Sequence, residues 1–155
     1  MAKYITPTLT ITSNKFDATT NPGPTSSPLA ISVTDTLDVT QVDSNIVTVA
    51  TTDAVLLTAT SYTTGTDAGT DGAFIFLKNL TEGLTVAPNI FIGHNPTGDG
   101  EMEDTGAADE DRLMTLKPGE FAFFPWDLEA NIHVDASAAA DDALEVIVFV
   151  RTGTA

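Results

Sequence analysis

The chain has 155 residues, no cysteine, six basic against 22 acidic side chains and a formal net charge of −16. That length suits one domain with a buried core. Without thiols, disulfides, thiolate metal sites and cysteine nucleophiles are excluded, and the charge repels phosphate backbones and anionic membranes, so neither nucleic acid nor membrane is an expected partner.

The opening Met1-Ala2-Lys3-Tyr4 lacks the apolar core of a signal peptide, and Thr or Asp interrupts every later apolar run. A soluble protein made in a cytoplasm is the expectation. From Tyr4 to Thr12 the odd positions are Ile5, Pro7, Leu9 and Ile11, and the even positions from 6 to 12 are all Thr. This is strict period two, with one apolar and one hydroxyl face. Pro7 cannot donate to a ladder, so the segment is read as an edge strand or docking arm, with Tyr4, Ile5, Leu9 and Ile11 as its candidate interface residues.

Asn21 to Pro28 reads N-P-G-P-T-S-S-P and is expected to be a hinge. The organisation expected is therefore an extended N-terminal arm and Pro-rich hinge over 1–28 and a β-sandwich domain over 29–155. Shorter alternating runs at Leu29 to Thr34, Leu37 to Val42, Ile46 to Thr51 and Val55 to Thr60 suggest a meander of short strands. Thr occurs 26 times and concentrates before residue 70, and its β-branched side chain favours pleated backbone.

Beyond the Gly65 to Gly72 loop the texture changes. Seven of the eight phenylalanines and the single tryptophan fall between Phe74 and Phe149. The runs Ala73 to Leu80, Asn89 to Gly93, Glu120 to Trp126, Ile132 to Val134 and Leu144 to Val150 are the expected core strands. Phe74 and Phe76 alternate with Ile75 and Leu77, and Val146, Val148 and Val150 alternate with Ile147 and Phe149. Such strands are apolar on both faces, so both sides of their sheet need a cover. One cover is a second sheet; the other is the Thr-rich N-terminal half or a neighbouring subunit. Asp135 to Ala143 is too short for more than a helical turn, and the fold class is all-β, an antiparallel sandwich of jelly-roll type.

The segment Asp99 to Arg112 carries Asp99, Glu101, Glu103, Asp104, Asp109, Glu110 and Asp111. Its spacing matches no EF-hand, so it reads as a solvated loop rather than a cation site. Asp67 and Asp71, in Thr66 to Gly72, read as turn chemistry. His133, between Ile132 and Val134, is placed on a polar face, and His94 at the start of a loop. With Glu120 they would form a metal site only if the fold gathered them. No nucleophile elbow, phosphate loop or H-E-x-x-H motif is present. No catalytic, metal or cofactor residues are assigned, and Trp126 with the preceding Phe-Phe-Pro reads as core before ligand platform.

Phe74-Ile-Phe-Leu-Lys-Asn-Leu80, Asn89-Ile-Phe-Ile-Gly93, Leu116-Lys-Pro-Gly-Glu-Phe-Ala-Phe-Phe-Pro-Trp126 and Glu145-Val-Ile-Val-Phe-Val-Arg151 form an ordered series over about half the chain. It resembles the small jelly-roll virion structural proteins of tailed bacteriophages, of capsid decoration or cement type. The resemblance implies a homo-oligomer, a trimer foremost, bound to the major capsid protein on the outer head at capsomer junctions. Some such proteins serve instead in the neck or tail. A cupin-like metal enzyme is the alternative from another class, but Gly93-His94-Asn95-Pro96 offers one histidine where that family carries H-x-H. A surface adhesion or carbohydrate-binding module suits the Thr-rich texture but normally carries an export signal.

Overall fold

A computed structural model describes residues 3–12, 30–62, 72–94 and 112–151. The described residues form eleven strands and one short 3-10 turn at Ala59–Ser61. The expected hinge at Asn21 to Pro28, most of the Gly65 to Gly72 loop and the acidic segment up to Asp111 lie outside them.

The chain divides into two compact units, Met1–Val39 and Thr40–Ala155. In the first, β1 (Lys3–Ile5) runs antiparallel to the start of β4 (Leu37–Val49), with Tyr4 opposite Asp38 and Ile5 opposite Leu37. β2 (Thr8–Thr12) pairs with β3 (Ala30–Thr34), placing Thr8 opposite Thr34 and Leu9 opposite Val33. The single alternating strand expected over Tyr4 to Thr12 is thus two strands. Pro7 breaks the ladder, having no N–H to give, and its carbonyl accepts from the Asp35 N–H at 3.2 Å. The period-two pattern survives the break: the Thr8 and Thr34 hydroxyls hydrogen-bond at 3.2 Å on one face of β2–β3.

The second unit contains the rest of β4, then β5 (Ala54–Leu57), β6 (Gly72–Asn79), β7 (Ile90–Gly93), β8 (Arg112–Leu116), β9 (Phe121–Trp126), β10 (Ile132–Ala136) and β11 (Ala140–Arg151). One sheet runs β4-β11-β6-β9, the other β5-β10-β7-β8. Within these orders the strands pair first with last, second with second-last, third with third-last, and the middle two together. That is a long antiparallel hairpin, β4 to β7 against β8 to β11, rolled so that β11 also meets β6 and β10 also meets β7. This is the jelly-roll arrangement of two packed sheets.

Alternation explains which faces meet. Ala73, Ile75 and Leu77 of β6 and Leu144, Val146, Val148 and Val150 of β11 are buried, as are Ile90 and Ile92 of β7, Leu116 of β8 and Ile132 and Val134 of β10. Full burial of each large aliphatic side chain contributes about 1.5–3 kcal/mol. The runs expected at Leu37 to Val42 and Ile46 to Thr51 are one continuous strand, because nothing between them breaks a ladder. Val55 to Thr60 is strand only to Leu57. β8 had no expectation, since Arg-Leu-Met-Thr-Leu carries little β-branched or aromatic signal. No helix forms at Asp135 to Ala143; its two ends belong to β10 and β11.

A buried polar clasp sets the register of β9 on β6. Asn79 is fully buried; its Nδ2 donates to the carbonyls of Pro88 and Leu116, both at 2.9 Å, and its Oδ1 accepts from the Thr81 N–H and hydroxyl. Its main chain joins the turn before β9: Asn79 N donates to Glu120 O, and Gly119 N to Asn79 O. Lys117-Pro118-Gly119-Glu120 is a type II turn, closed by Glu120 N to Lys117 O at 2.9 Å with Gly119 at φ 81°.

Asn79→Ala strips partners from several buried groups at once and is expected to cost about 3 kcal/mol, read as a lower urea midpoint at unchanged slope. Gly119→Ala is expected to cost about 1–2 kcal/mol, because its φ lies where a Cβ is strained while the nearby Glu82 side chain can move aside. An unchanged midpoint in either variant contradicts the clasp.

Candidate interaction surface

With one face of β6, β9 and β11 turned into the sandwich, their other residues form an outer face. On β6 these are Phe74, Phe76 and Lys78; on β9 Phe121, Phe123 and Pro125; on β11 Glu145, Ile147, Phe149 and Arg151. The registers align them in rows: Phe149, Phe74 and Pro125, then Ile147, Phe76 and Phe123, then Glu145, Lys78 and Phe121.

The rings interlock diagonally. Phe74 stacks on Phe123 at 5.3 Å between centroids, Phe76 on Phe121 at 6.1 Å, and Phe149 meets Phe123 edge-on at 6.3 Å. The Arg151 guanidinium lies 5.5 Å from the Phe74 ring. Such pairs are worth about 0.5–1.5 kcal/mol each beyond their burial, yet mutual contact does not hide the rings. Phe121 remains 62% exposed and Phe123 39%. Exposed aromatic side chains gathered on one face make it the candidate interaction surface among the described residues. β9 is the edge of its sheet, and Pro125 cannot donate to an added strand, so the edge is blunted and the face is the usable surface.

The arm residues singled out from the sequence sit in the first unit. Tyr4 and Ile5 lie on β1, with Tyr4 exposed and Ile5 half-buried; Leu9 and Ile11 lie on β2 and are both exposed. Leu9 faces water together with Val33, its cross-strand partner. Phe121 was not singled out, and the Phe-Phe-Pro read as core with Trp126 is corrected in part, since Phe123 and Pro125 alternate to the outer face and are exposed. Phe-Ala-Phe-Phe-Pro-Trp holds the signal, its alternate positions being Phe, Phe and Pro against Ala, Phe and Trp.

The histidines do not converge on Glu120. His133, largely covered, is held by Asp53 at 2.8 Å from Nδ1, while Glu120 is exposed and its carboxylate accepts from the Lys117 N–H. Among the described residues no group of three or more His, Asp or Glu side chains is placed to hold a metal. Trp126 is core: it is buried, its indole N–H donates to Ala130 O at 2.9 Å, and it meets Tyr62 edge-on. Tyr62 borders a pocket of about 440 Å³ beside β4 and β5, floored by Val47, Leu56, Leu57, Val146 and Val148. Burial pushes its phenol above the ordinary 10.0, and the Asp43 carboxylate adds to the shift.

No family model matches the chain, and no curated protein does. Among solved structures, one described as "Bacillus endospore appendages form a novel family of disulfide-linked pili" is similar at 14% identity and a TM-score of 0.40, over 99% of this chain and 92% of that one. A likeness this slight carries no argument about function.

Two outcomes are expected. Phe121→Ser should cost no more than about 0.5–1.5 kcal/mol of folding stability, the loss of its stack on Phe76, while lowering the binding of a hydrophobic dye; unchanged dye binding would mean the face is not open. In a Tyr4→Phe background the remaining phenolate absorbance should rise with a midpoint above 10.0, and Asp43→Asn should bring it only part of the way back because burial is the larger cause. The raised value makes the fold lose stability as pH climbs from about 10, where the unfolded phenol ionises first.

Proposed function

We propose that the protein is a structural assembly component, without catalytic activity, that binds neighbouring protein through the aromatic outer face of β6, β9 and β11. Its most specific form is a virion decoration or cement protein of a tailed bacteriophage, a homo-oligomer, with a trimer favoured, seated on the major capsid protein at the outer head surface. A neck or tail position in the virion is the nearest variant.

The observation that carries this reading is the open Phe121–Phe123 patch on an otherwise acidic protein. Buried aromatic anchors surrounded by a wet rim supply most of the free energy at protein interfaces. The rolled strand order supports the same class, since two-sheet jelly rolls serve in viral shells. The same order also serves lectins and cupins, so the side chains must decide. Here His133 is committed to Asp53 and stands apart from any set of metal-binding groups among the described residues, which weighs against the cupin alternative. The charge of −16 suits a place outside a nucleic-acid-filled shell, not within it.

The test is co-sedimentation of the purified chain with capsids lacking it. Phe121→Asp with Phe123→Asp places charges where a dry contact is needed and is expected to weaken binding by at least about 30-fold, the effect of losing one strong anchor. Full binding by that variant would contradict the role of the face. Stoichiometric transition metal in the purified chain would instead favour the enzyme class.

A further inference from the structure

We infer that the aromatic face of one copy is covered by the β2–β3 ladder of a second copy. This rests on the assembly role proposed above and names the partner of its surface.

Two surfaces among the described residues are open and apolar. The first is the outer face of β6, β9 and β11. The second is the apolar face of β2–β3, where Leu9, Val33 and Ile11 are 53%, 56% and 43% exposed. A two-stranded ladder is marginal on its own in water and gains stability by packing its apolar face on another layer. Its hydroxyl face, with Thr8 bonded to Thr34, is suited to remain wet.

The two-stranded ladder fits within the three-stranded face. Strands of five residues, as in β2 and β3, span about 17 Å, and the six-residue β9 about 20 Å. Aliphatic Leu, Val and Ile side chains against Phe rings make the kind of core found between stacked sheets, about 10 Å apart. Charge matches as well. Lys78 and Arg151, two of the six basic residues in the chain, border the aromatic face and outnumber its one carboxylate, Glu145, which pairs across from Lys78. Exposed Asp35 directly follows β3 at the end of the ladder. On a chain of net −16, a cation-bordered apolar face meeting an acid-bordered one is the arrangement that lets copies approach.

Joining unlike surfaces makes a heterologous contact, which closes into a ring or runs on as a filament. One such contact is smaller than the roughly 800 Å² per partner of a standard interface. Ring closure lets each copy both give a ladder and receive one, and a capsid surface adds the remaining rim. Free chain is therefore expected to assemble in a concentration-dependent way.

The lack of native cysteine permits a direct test. Purified Leu9→Cys chain and Phe121→Cys chain are mixed, left to exchange and oxidised. A disulfide-linked dimer is expected from the mixture but not from either chain alone. Thr10→Cys, on the opposite face of β2, should give none with Phe121→Cys. Equal linking by Thr10→Cys and Leu9→Cys overturns the inference, as does a Leu9→Cys/Phe121→Cys chain that closes its disulfide within one monomer. Chains that form oligomers or bind capsids yet never link through Leu9 and Phe121 overturn this inference alone. Chains that do neither overturn the assembly role with it.

Discussion

A strand in a sheet has two faces, and the central strands here are apolar on both. Everything else follows from how that demand is met. β6 and β11 lie side by side in the middle of the β4-β11-β6-β9 sheet, and Ile75, Leu77, Val146 and Val148 on one side are sealed by the β5-β10-β7-β8 sheet. The other side carries Phe74, Phe76, Ile147 and Phe149 and has β9 with its exposed phenylalanines as neighbour. Rolling a hairpin into two sheets satisfies the first face and leaves Phe121 and Phe123 on the second exposed. The functional reading is a consequence of that asymmetry.

Two of the buried polar side chains serve this geometry. Asn79 and Thr81 tie the end of β6 to the β6–β7 connection, to the end of β8 and to the turn entering β9. Because Asn79 uses both amide protons and its carbonyl oxygen, the site is satisfied and adds specificity at little cost in desolvation. A slip of one residue at this turn would send Phe121 and Phe123 to the inside and Ala122 and Phe124 to the outside. The clasp therefore decides which phenylalanines form the surface, although none of its residues belongs to it.

Much of this was legible in the sequence, for identifiable reasons. β6 and β11 announce themselves because their apolar residues are continuous, and the expectation that both faces need cover came from the same residues. Period two in Thr8 to Thr12 marked β2 correctly. Pro7 was taken as a mark of an edge strand or docking arm; β1 and β2 on either side of it are indeed edge strands, and Pro7 also separates them onto different partners. β8 escaped notice because Arg112 to Leu116 lacks the β-branched signal, and β4 was read as two pieces where one runs through polar residues from Asp43 to Asn45. The nested pairing was out of reach, since long-range partners leave no local trace. Phe121 and Phe123 were hidden in a dense aromatic run whose alternation shows an outer face only once β9 is known to sit beside β6. The acidic segment ending at Asp111 lies outside the described residues.

The central claim is that the outer face of β6, β9 and β11 is covered by protein in the working assembly. Hydroxyl-radical footprinting of the dilute chain and of the assembled or capsid-bound form measures this ring by ring. Phe121 and Phe123 are expected to be modified readily in the dilute chain and protected on assembly, with the buried Trp126 slow in both. Equal modification of Phe121 and Phe123 in both states would contradict the account.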